Sequence, residues 1–540
     1  MKTAEALIKS LEAEGIQYVF GVPGEENLDV LEALENSSMT FIITRHEQAA
    51  AFMAATVGRL TGTPGVALST LGPGATNLVT GAAYAQLGAM PMIMITGQKP
   101  IRHSKQGAFQ IIDVVDMMAP ISKYSKQLVE GKMVAASVRE AVRIATEERP
   151  GAALIEIPED IAAEEIEYNP LPKSLTRRPI GEYKAINKVV ELLKESKKPL
   201  IIVGAGSNRK RTSNMLTELV TEYNIPFVPT QMGKGVISEK LPQYAGTAAL
   251  SSDDYVHETI DQADLIIQVG HDVVEKPPFI MIGKRPVVHI NFETASVNDI
   301  YYPQYEVTGD IANAIWQIKE AMKSQDMPAW ETEYHQASLR VMQDEFNQDV
   351  DTAKSLTPQV VVNVTRSVSP ENAIVALDNG MYKIWFARHF ASYHENTLLL
   401  DNALATMGAG VPSAIAAKLI HPDKKVIAVV GDGGFMMNSQ ELETATRLGI
   451  DLVVVILNDS SFQMIRWKQD KLGMNDYGLQ FNNPDFVKYA ESYGAHGHRA
   501  TNRQEYEDVL TEAIEGSGVH IIDVAIDYST SAEDLQKQSN

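Results

Sequence analysis

Lys425-Val426-Ile427-Ala428-Val429-Val430-Gly431-Asp432-Gly433-Gly434-Phe435 carries an apolar, largely β-branched run straight into three glycines set around an aspartate. Such a run reads as a buried strand of a parallel sheet, and the glycines as the turn that follows it. Residues 439–448 then have the composition of a helix, with Gln440, Glu441 and Glu443. Residues 452–457 form a second apolar strand that ends at Asn458-Asp459-Ser460-Ser461. Two neighbouring strands therefore present carboxylates at their C-terminal ends, the edge of a parallel sheet where ligands bind.

The same alternation of short apolar strands and Ala/Leu-rich helices runs outward through the chain. Residues 41–44, 66–69, 92–96 and 153–157 are further strand candidates. The rhythm predicts an α/β protein with helices on both faces of parallel sheets. Two stretches interrupt it. Residues 164–183 contain Asn169-Pro170-Leu171-Pro172 and Arg177-Arg178-Pro179 and read as a linker. Residues 324–357 are polar and charged, with room for a connecting helix. Three doubly wound parallel-sheet domains follow, at 1–165, 184–325 and 355–530. Residues 531–540 are expected to form a polar tail.

The chain has 540 residues, a hydrophobic fraction of 44% and a formal charge of -22, from 47 Lys+Arg against 69 Asp+Glu. That charge argues against nucleic acid and anionic membrane as partners. The absence of cysteine excludes disulfides, thiolate metal sites and thiol nucleophiles. The opening residues read as an amphipathic helix and not as a signal peptide, and no apolar run is long enough to span a bilayer. A cytoplasmic protein is expected.

A diphosphate would suit the 425–435 segment. Glycines let backbone N–H groups approach an anion, and a hard divalent ion needs oxygen ligands to bridge protein and phosphate. Asp432 and Asp459 can supply two such oxygens. A lone Gly-Asp-Gly is also compatible with a plain strand–turn–helix carrying a surface aspartate; the paired Asn458-Asp459 is what argues for a site.

Gly431-Asp432-Gly433-Gly434 followed by Asn458-Asp459-Ser460-Ser461-Phe462 resembles the metal–diphosphate motif of thiamine-diphosphate enzymes. In that family the second metal ligand lies 27 positions after the first, which here is Asp459. The resemblance implies Mg2+ held by Asp432, Asp459 and the main-chain carbonyl of Ser461, with Gly433 and Gly434 at the cofactor. Asp at the second position is similar to the catabolic acetolactate synthases.

Arg45-His46-Glu47-Gln48-Ala49-Ala50-Ala51 ends a strand and opens an Ala-rich helix. Alone, Glu47 could be an ordinary carboxylate at a helix start. The stretch resembles the first-domain motif of acetolactate and acetohydroxyacid synthases, whose glutamate contacts the aminopyrimidine ring. By that match Glu47 is the activating, catalytic residue. The resemblance makes the first domain pyrimidine-binding and the third diphosphate-binding, with a central domain between them. It places Pro23 in the Gly21-Val22-Pro23-Gly24 loop, and Thr70 and Asn77 in a Gly/Pro turn, as cofactor contacts. Gly380, Met381 and Met464 are assigned likewise, and Met407 is the wedge that bends the cofactor. Because the glutamate and the metal segment lie on different domains, the family builds each site across two subunits. A homodimer or homotetramer is implied.

Such enzymes remove CO2 from a 2-oxo acid and then either protonate the remaining fragment or join it to a second carbonyl. The decarboxylase branch has an adjacent His-His pair, whereas His46 and His103 each stand alone. That branch also places a proton-relay glutamate six positions after the second metal ligand, where this chain has Ile465. An apolar residue there favours carbon–carbon bond formation, as in joining two pyruvates to 2-acetolactate. A 2-oxo-acid decarboxylase for longer or branched acids is the alternative. Lys105-Gln106-Gly107-Ala108-Phe109-Gln110 resembles the family's substrate loop, with Phe109 and Gln110 reaching the neighbouring subunit. Glu47, Asp432 and Asp459 are all present, which argues against an inactive regulatory or scaffold subunit.

There are departures from the family pattern. The middle-domain stretch that accompanies FAD in biosynthetic relatives is replaced by Gly270-His271-Asp272-Val273-Val274-Glu275, so FAD is not expected. Gly204-Ala205-Gly206 is a weak dinucleotide signal and reads mainly as a strand–helix turn. Trp467 falls three residues after Met464, where the biosynthetic tryptophan falls four after the corresponding methionine. It is expected to shape the substrate pocket and leaves the 2-oxo acid open.

Overall fold

The computed structural model describes residues 1–102, 107–173, 178–250, 254–279, 281 and 285–529. The expected tail at 531–540, His103 and the Lys105-Gln106 part of the substrate loop lie outside these residues.

Three parallel sheets are present. The first comprises β1 (Tyr18–Gly21), β2 (Thr40–Ile43), β3 (Gly65–Ser69), β4 (Met92–Gln98), β5 (Tyr124–Gln127) and β6 (Ala152–Pro158). The second comprises β7 (Pro199–Val203), β8 (Phe227–Pro229), β9 (Leu265–Val269), β10 (Val287–Asn291) and β11 (Tyr305–Thr308). The third comprises β12 (Ile374–Leu377), β13 (Leu398–Leu399), β14 (Val426–Gly431), β15 (Leu452–Asn458), β16 (His496–Ala500) and β17 (Val519–Ala525). The spatial order is β2-β1-β3-β4-β6-β5 in the first and β13-β12-β14-β15-β17-β16 in the third, the same topology twice. The middle sheet runs β11-β10-β9-β7-β8.

Central strands are buried on both faces, which is why β14 and β15 read as unbroken apolar runs. Their register shows how distant residues meet. Gly431 pairs with Leu457 in parallel, so Asp432 stands beside Asn458, and Asp459 is one residue further along.

The first and third domains share one core cluster. Helix Glu47–Thr61 is rich in alanine and packs closely on helix Gly410–Ile420. Thr56 Oγ1 donates to Ser413 Oγ at 3.0 Å within that contact. A Cβ at Gly58 would lie 1.9 Å from the carbonyl oxygen of Pro91, so the helix is held against the β4 side by a glycine. Gly62, at φ 73, closes the helix in the left-handed conformation.

Two expectations are adjusted. The helix expected at 439–448 is present as Glu441–Arg447, and a further helix, Asp432–Asn438, precedes it. Helical structure thus begins at Asp432 itself, with Gly431 extended before it. The polar 324–357 stretch contains helix Gln336–Thr352. Among its described residues the 164–183 stretch has no helix or strand of its own before helix Tyr183–Glu195. Among the described residues no helix is long and apolar enough to cross a membrane.

Candidate active site

A cavity of about 560 Å³, lined by residues such as Arg59, Arg149 and His271, shares no residue with the aspartate pair. The aspartate pair lies in another cavity, of about 300 Å³, at the C-terminal ends of β12, β14 and β15. Asp432, Asp459 and Ser461 line one side of it, with Gly433 and Gly434 at its base. Gly380 and Met381 approach from the loop after β12, Met407 from the loop after β13, and Met464 and Ile465 from helix Gln463–Lys471. Ten of the residues singled out in the sequence thus meet at one cavity.

Gly434 is needed here. A Cβ on it would stand 2.5 Å from Asp378 Oδ2. Asp378 itself is a loop tie: its carboxylate accepts from Asn379 N at 2.8 Å and Gly408 N at 2.9 Å. Burial pushes it up to about 6. Through Gly408 it positions the Met407 segment.

The two aspartates suit a hard divalent cation. Asp432 Oδ2 accepts from Ser460 N at 2.7 Å and from Asn483 Nδ2 at 2.8 Å, and its Oδ1 from Gly433 N at 2.8 Å. Asp459 accepts from the amide of Gln463. Burial raises both carboxyls, and the nearby charge of Asp432 adds to the rise of Asp459, to about 6. Two buried like charges are what a divalent cation relieves. The hydroxyl of Ser461 is buried without a partner at the same place. The residues present therefore fit a magnesium–diphosphate group.

The first domain assembles a second group. Glu47, the first residue of its helix, is buried, and its Oε2 accepts from Asn77 Nδ2 at 2.9 Å. A Cβ at Gly74 would lie 3.4 Å from Glu47 Oε1 and one at Gly24 only 2.3 Å from Thr70 Cβ. The Pro23–Gly24 loop and the Thr70–Asn77 turn are thus packed together around the glutamate. Thr70 also donates to Glu26, which is ion-paired with Lys99 at 2.5 Å. Gln110, at φ 58, sets its carbonyl 2.9 Å from where a Cβ of Gly72 would be. Beside it Phe109 is 64% exposed. None of these first-domain residues lines the cavity of Asp432 and Asp459.

Trp467 is not among the described residues lining the cavity of Ile465. Helical spacing turns it away from Ile465, and it borders an adjacent cavity with Arg466 and Asp470 that shares Met381, Asp459, Gln463 and Tyr528 with the first. Lys468 and Lys471 cover its ring at 4.6 Å and 4.7 Å from the centroid.

Four residues escaped the sequence reading. Asn483 bridges Asp432, Asn458 Oδ1 at 3.0 Å and Ser460 Oγ at 3.3 Å. It reaches them because Ser461 pairs antiparallel with Gln480, folding a loop over the metal segment. Tyr382 accepts from Gly431 N at 2.9 Å, and Tyr528 comes from beyond β17 to line the cavity. Lys383 was legible as a lone charge in Met381-Tyr382-Lys383-Ile384-Trp385-Phe386.

The comparisons agree with this geometry. Residues 1–117 match the N-terminal TPP binding domain of thiamine pyrophosphate enzymes, 186–318 the central domain and 378–524 the C-terminal TPP binding domain. The fold is thus that of a thiamine-pyrophosphate enzyme. An acetolactate synthase of Bacillus subtilis (strain 168) is 33% identical over 97% of this chain and 93% of its own length. A probable acetolactate synthase large subunit of Methanocaldococcus jannaschii is also 33% identical, over 98% and 92%. A catabolic acetolactate synthase of Raoultella terrigena is 30% identical over 97% and 95%. The chain belongs to the acetolactate synthase family of thiamine-pyrophosphate enzymes.

Proposed function

We propose that the protein removes CO2 from one pyruvate and joins the remaining two-carbon fragment to a second, giving 2-acetolactate, with thiamine diphosphate and Mg2+ bound. The observation that carries this reading is the wall of the cavity. Beside Asp432 and Asp459 stand Met407, Met464 and Ile465, and no histidine or glutamate is among its described lining residues. When bound, thiamine diphosphate supplies the carbanion that attacks the 2-oxo acid. Around it, Asp432, Asp459 and the Ser461 carbonyl would hold the metal, and Gly433 and Gly434 would admit the diphosphate. Met407 would pack against the cofactor. Glu47, oriented by Asn77, would hold and move the proton at the aminopyrimidine nitrogen. Ile465 offers no proton to the fragment left after CO2 departs.

The reading includes a site shared between two copies, so at least a homodimer, with a homotetramer as the larger assembly. No described residue of its own first domain lines the cavity, and Ile465 on its rim is 51% exposed. Phe109 and Gln110 would close the partner's cavity. It also includes independence from FAD. The amide of Ala205 in the Gly204-Ala205-Gly206 turn donates to Glu275 Oε2 at 3.0 Å, and Thr230 donates to Oε1 at 2.5 Å. The amide of Gly206 is likewise taken by the Gly270 carbonyl at 2.9 Å. The turn is thus satisfied by its own chain.

Incubation with pyruvate, thiamine diphosphate and Mg2+ tests the proposal. Acetolactate, measured as acetoin after acid treatment, is the expected product. Free acetaldehyde as the main product would overturn it.

A further inference from the structure

Lys383 is the single Lys or Arg among the described residues lining the cavity of Asp432 and Asp459. It is the first residue of helix Lys383–His389 and is 9% exposed. Its Nζ donates to Asn379 Oδ1 at 2.7 Å, Asn402 Oδ1 at 3.1 Å and the Asp401 carbonyl at 3.2 Å. All three acceptors are neutral. No described carboxylate is ion-paired with it.

The acids that attract it from further off, Asp401 and Asp378, are already engaged by backbone amides. Asp401 accepts from Ala403 N at 3.0 Å and Ala405 N at 2.9 Å. Asp378 accepts from Asn379 and Gly408, as described above. Burial accordingly lowers the pKa of Lys383 from its ordinary value.

Buried charges are normally paired. Elsewhere in the chain Lys99 meets Glu26 at 2.5 Å and Lys234 meets Glu239 at 2.7 Å. Buried Lys418, with no carboxylate partner among the described residues, lies near the C-terminal end of its helix and donates to the Pro422 and Lys424 carbonyls. That end of a helix favours a positive charge. Lys383 has neither compensation, because it opens its helix at the end where a cation is disfavoured.

We propose that Lys383 supplies the counter-charge for an oxyanion bound in this cavity, either the cofactor's diphosphate or the carboxylate of the 2-oxo acid. The inference rests on the thiamine-diphosphate reading of the site. It makes Lys383 a ligand-binding residue and not only the tie between the loops at Asn379 and Asn402.

The test compares wild type with Lys383→Met, which keeps the stem and removes the charge, and Lys383→Gln, which keeps a donor for Asn379. Apoprotein is titrated with thiamine diphosphate and Mg2+ by calorimetry, and pyruvate kinetics are measured at saturating cofactor. A tenfold or greater rise in the dissociation constant of thiamine diphosphate assigns the diphosphate. An unchanged cofactor constant with a tenfold or greater rise in KM for pyruvate, kcat staying within threefold, assigns the carboxylate. In either case Lys383→Arg restores most of the loss. If both constants stay unchanged in whichever neutral variant folds, the proposal is overturned. A wild-type apoprotein that takes up no thiamine diphosphate would instead overturn the reading of the site itself, and this inference with it.

Discussion

The side-chain amide of Asn77 donates to Oε2 of Glu47 at 2.9 Å, so the carboxylate at the start of helix Glu47–Thr61 is aimed by a turn that follows β3. Glu47→Gln keeps the size of the side chain and removes its capacity to carry a proton. Turnover is expected to fall by about 100-fold or more, the usual contribution of a positioned acid–base group. Asn77→Ala should cost about tenfold, since a hydrogen bond to a charged group is worth roughly 1.5 kcal/mol. Acetolactate formation at saturating cofactor measures both, and a fully active Glu47→Gln enzyme would refute the role.

Asn483 donates to Asp432 Oδ2 at 2.8 Å from a loop that no motif marks. Outer partners of this kind orient a metal-binding carboxylate. Asn483→Ala should weaken Mg2+ activation by about 10- to 100-fold while leaving the fold intact. The Mg2+ concentration giving half-maximal activity, measured after chelator treatment, decides the point. An unchanged value would show that Asp432 needs no such support.

Ile465 is the residue on which the product depends in the proposed function. Ile465→Glu introduces a proton donor at the rim of the cavity. The ratio of acetaldehyde to acetolactate should rise by about tenfold or more, a modest yield for a positioned general acid. Chromatographic analysis of both products reads it. If total turnover falls with the ratio unchanged, the side chain does not govern partition.

Glu441 joins two domains: its Oε1 accepts from Arg45 N at 3.0 Å and its Oε2 from Thr444 Oγ1 at 2.7 Å. Burial pushes this carboxyl from 4.5 up to about 7. A raised carboxyl binds its proton more tightly in the folded state, so its contribution is fully present below about pH 4.5. That contribution is lost as pH rises through 7. The loss amounts to on the order of 3 kcal/mol. Denaturation at pH 5 and pH 8 should therefore show a shallower decline for Glu441→Gln than for wild type. Parallel curves would place the pH dependence elsewhere.

Lys234 and Glu239 form a fully buried pair at 2.7 Å, side chains 1% and 2% exposed, and Glu239 also accepts from Ser392 N at 3.1 Å. Lys234→Met leaves Glu239 without its partner and should destabilise the protein by about 3–5 kcal/mol. The double change Lys234→Met with Glu239→Leu should recover most of this, because no charge then remains buried. Denaturant unfolding of both variants provides the check. Equal stability of the single and double variants would contradict it.

The strands were legible because a parallel strand covered on both faces must be apolar throughout, as at 425–430, and glycines must follow where the backbone turns. Asp432, Asp459 and Glu47 could be located because strand ends and helix starts are marked locally, while the roles expected of them came from the resemblance to thiamine-diphosphate enzymes and its 27-residue spacing. The tertiary structure decided what no local pattern records. The Gly431–Leu457 register sets Asp432 and Asp459 at one cavity. The Ser461–Gln480 pairing brings Asn483 over them. Helical phase turns Trp467 to the neighbouring cavity while Ile465 stays in this one. Lys383 was visible as a charge among apolar residues, but only the packing showed that no described carboxylate pairs with it. Patterns in sequence record what each residue prefers along its own element. Which residues from different elements come within hydrogen-bond distance is settled by packing, and the site is made of such meetings.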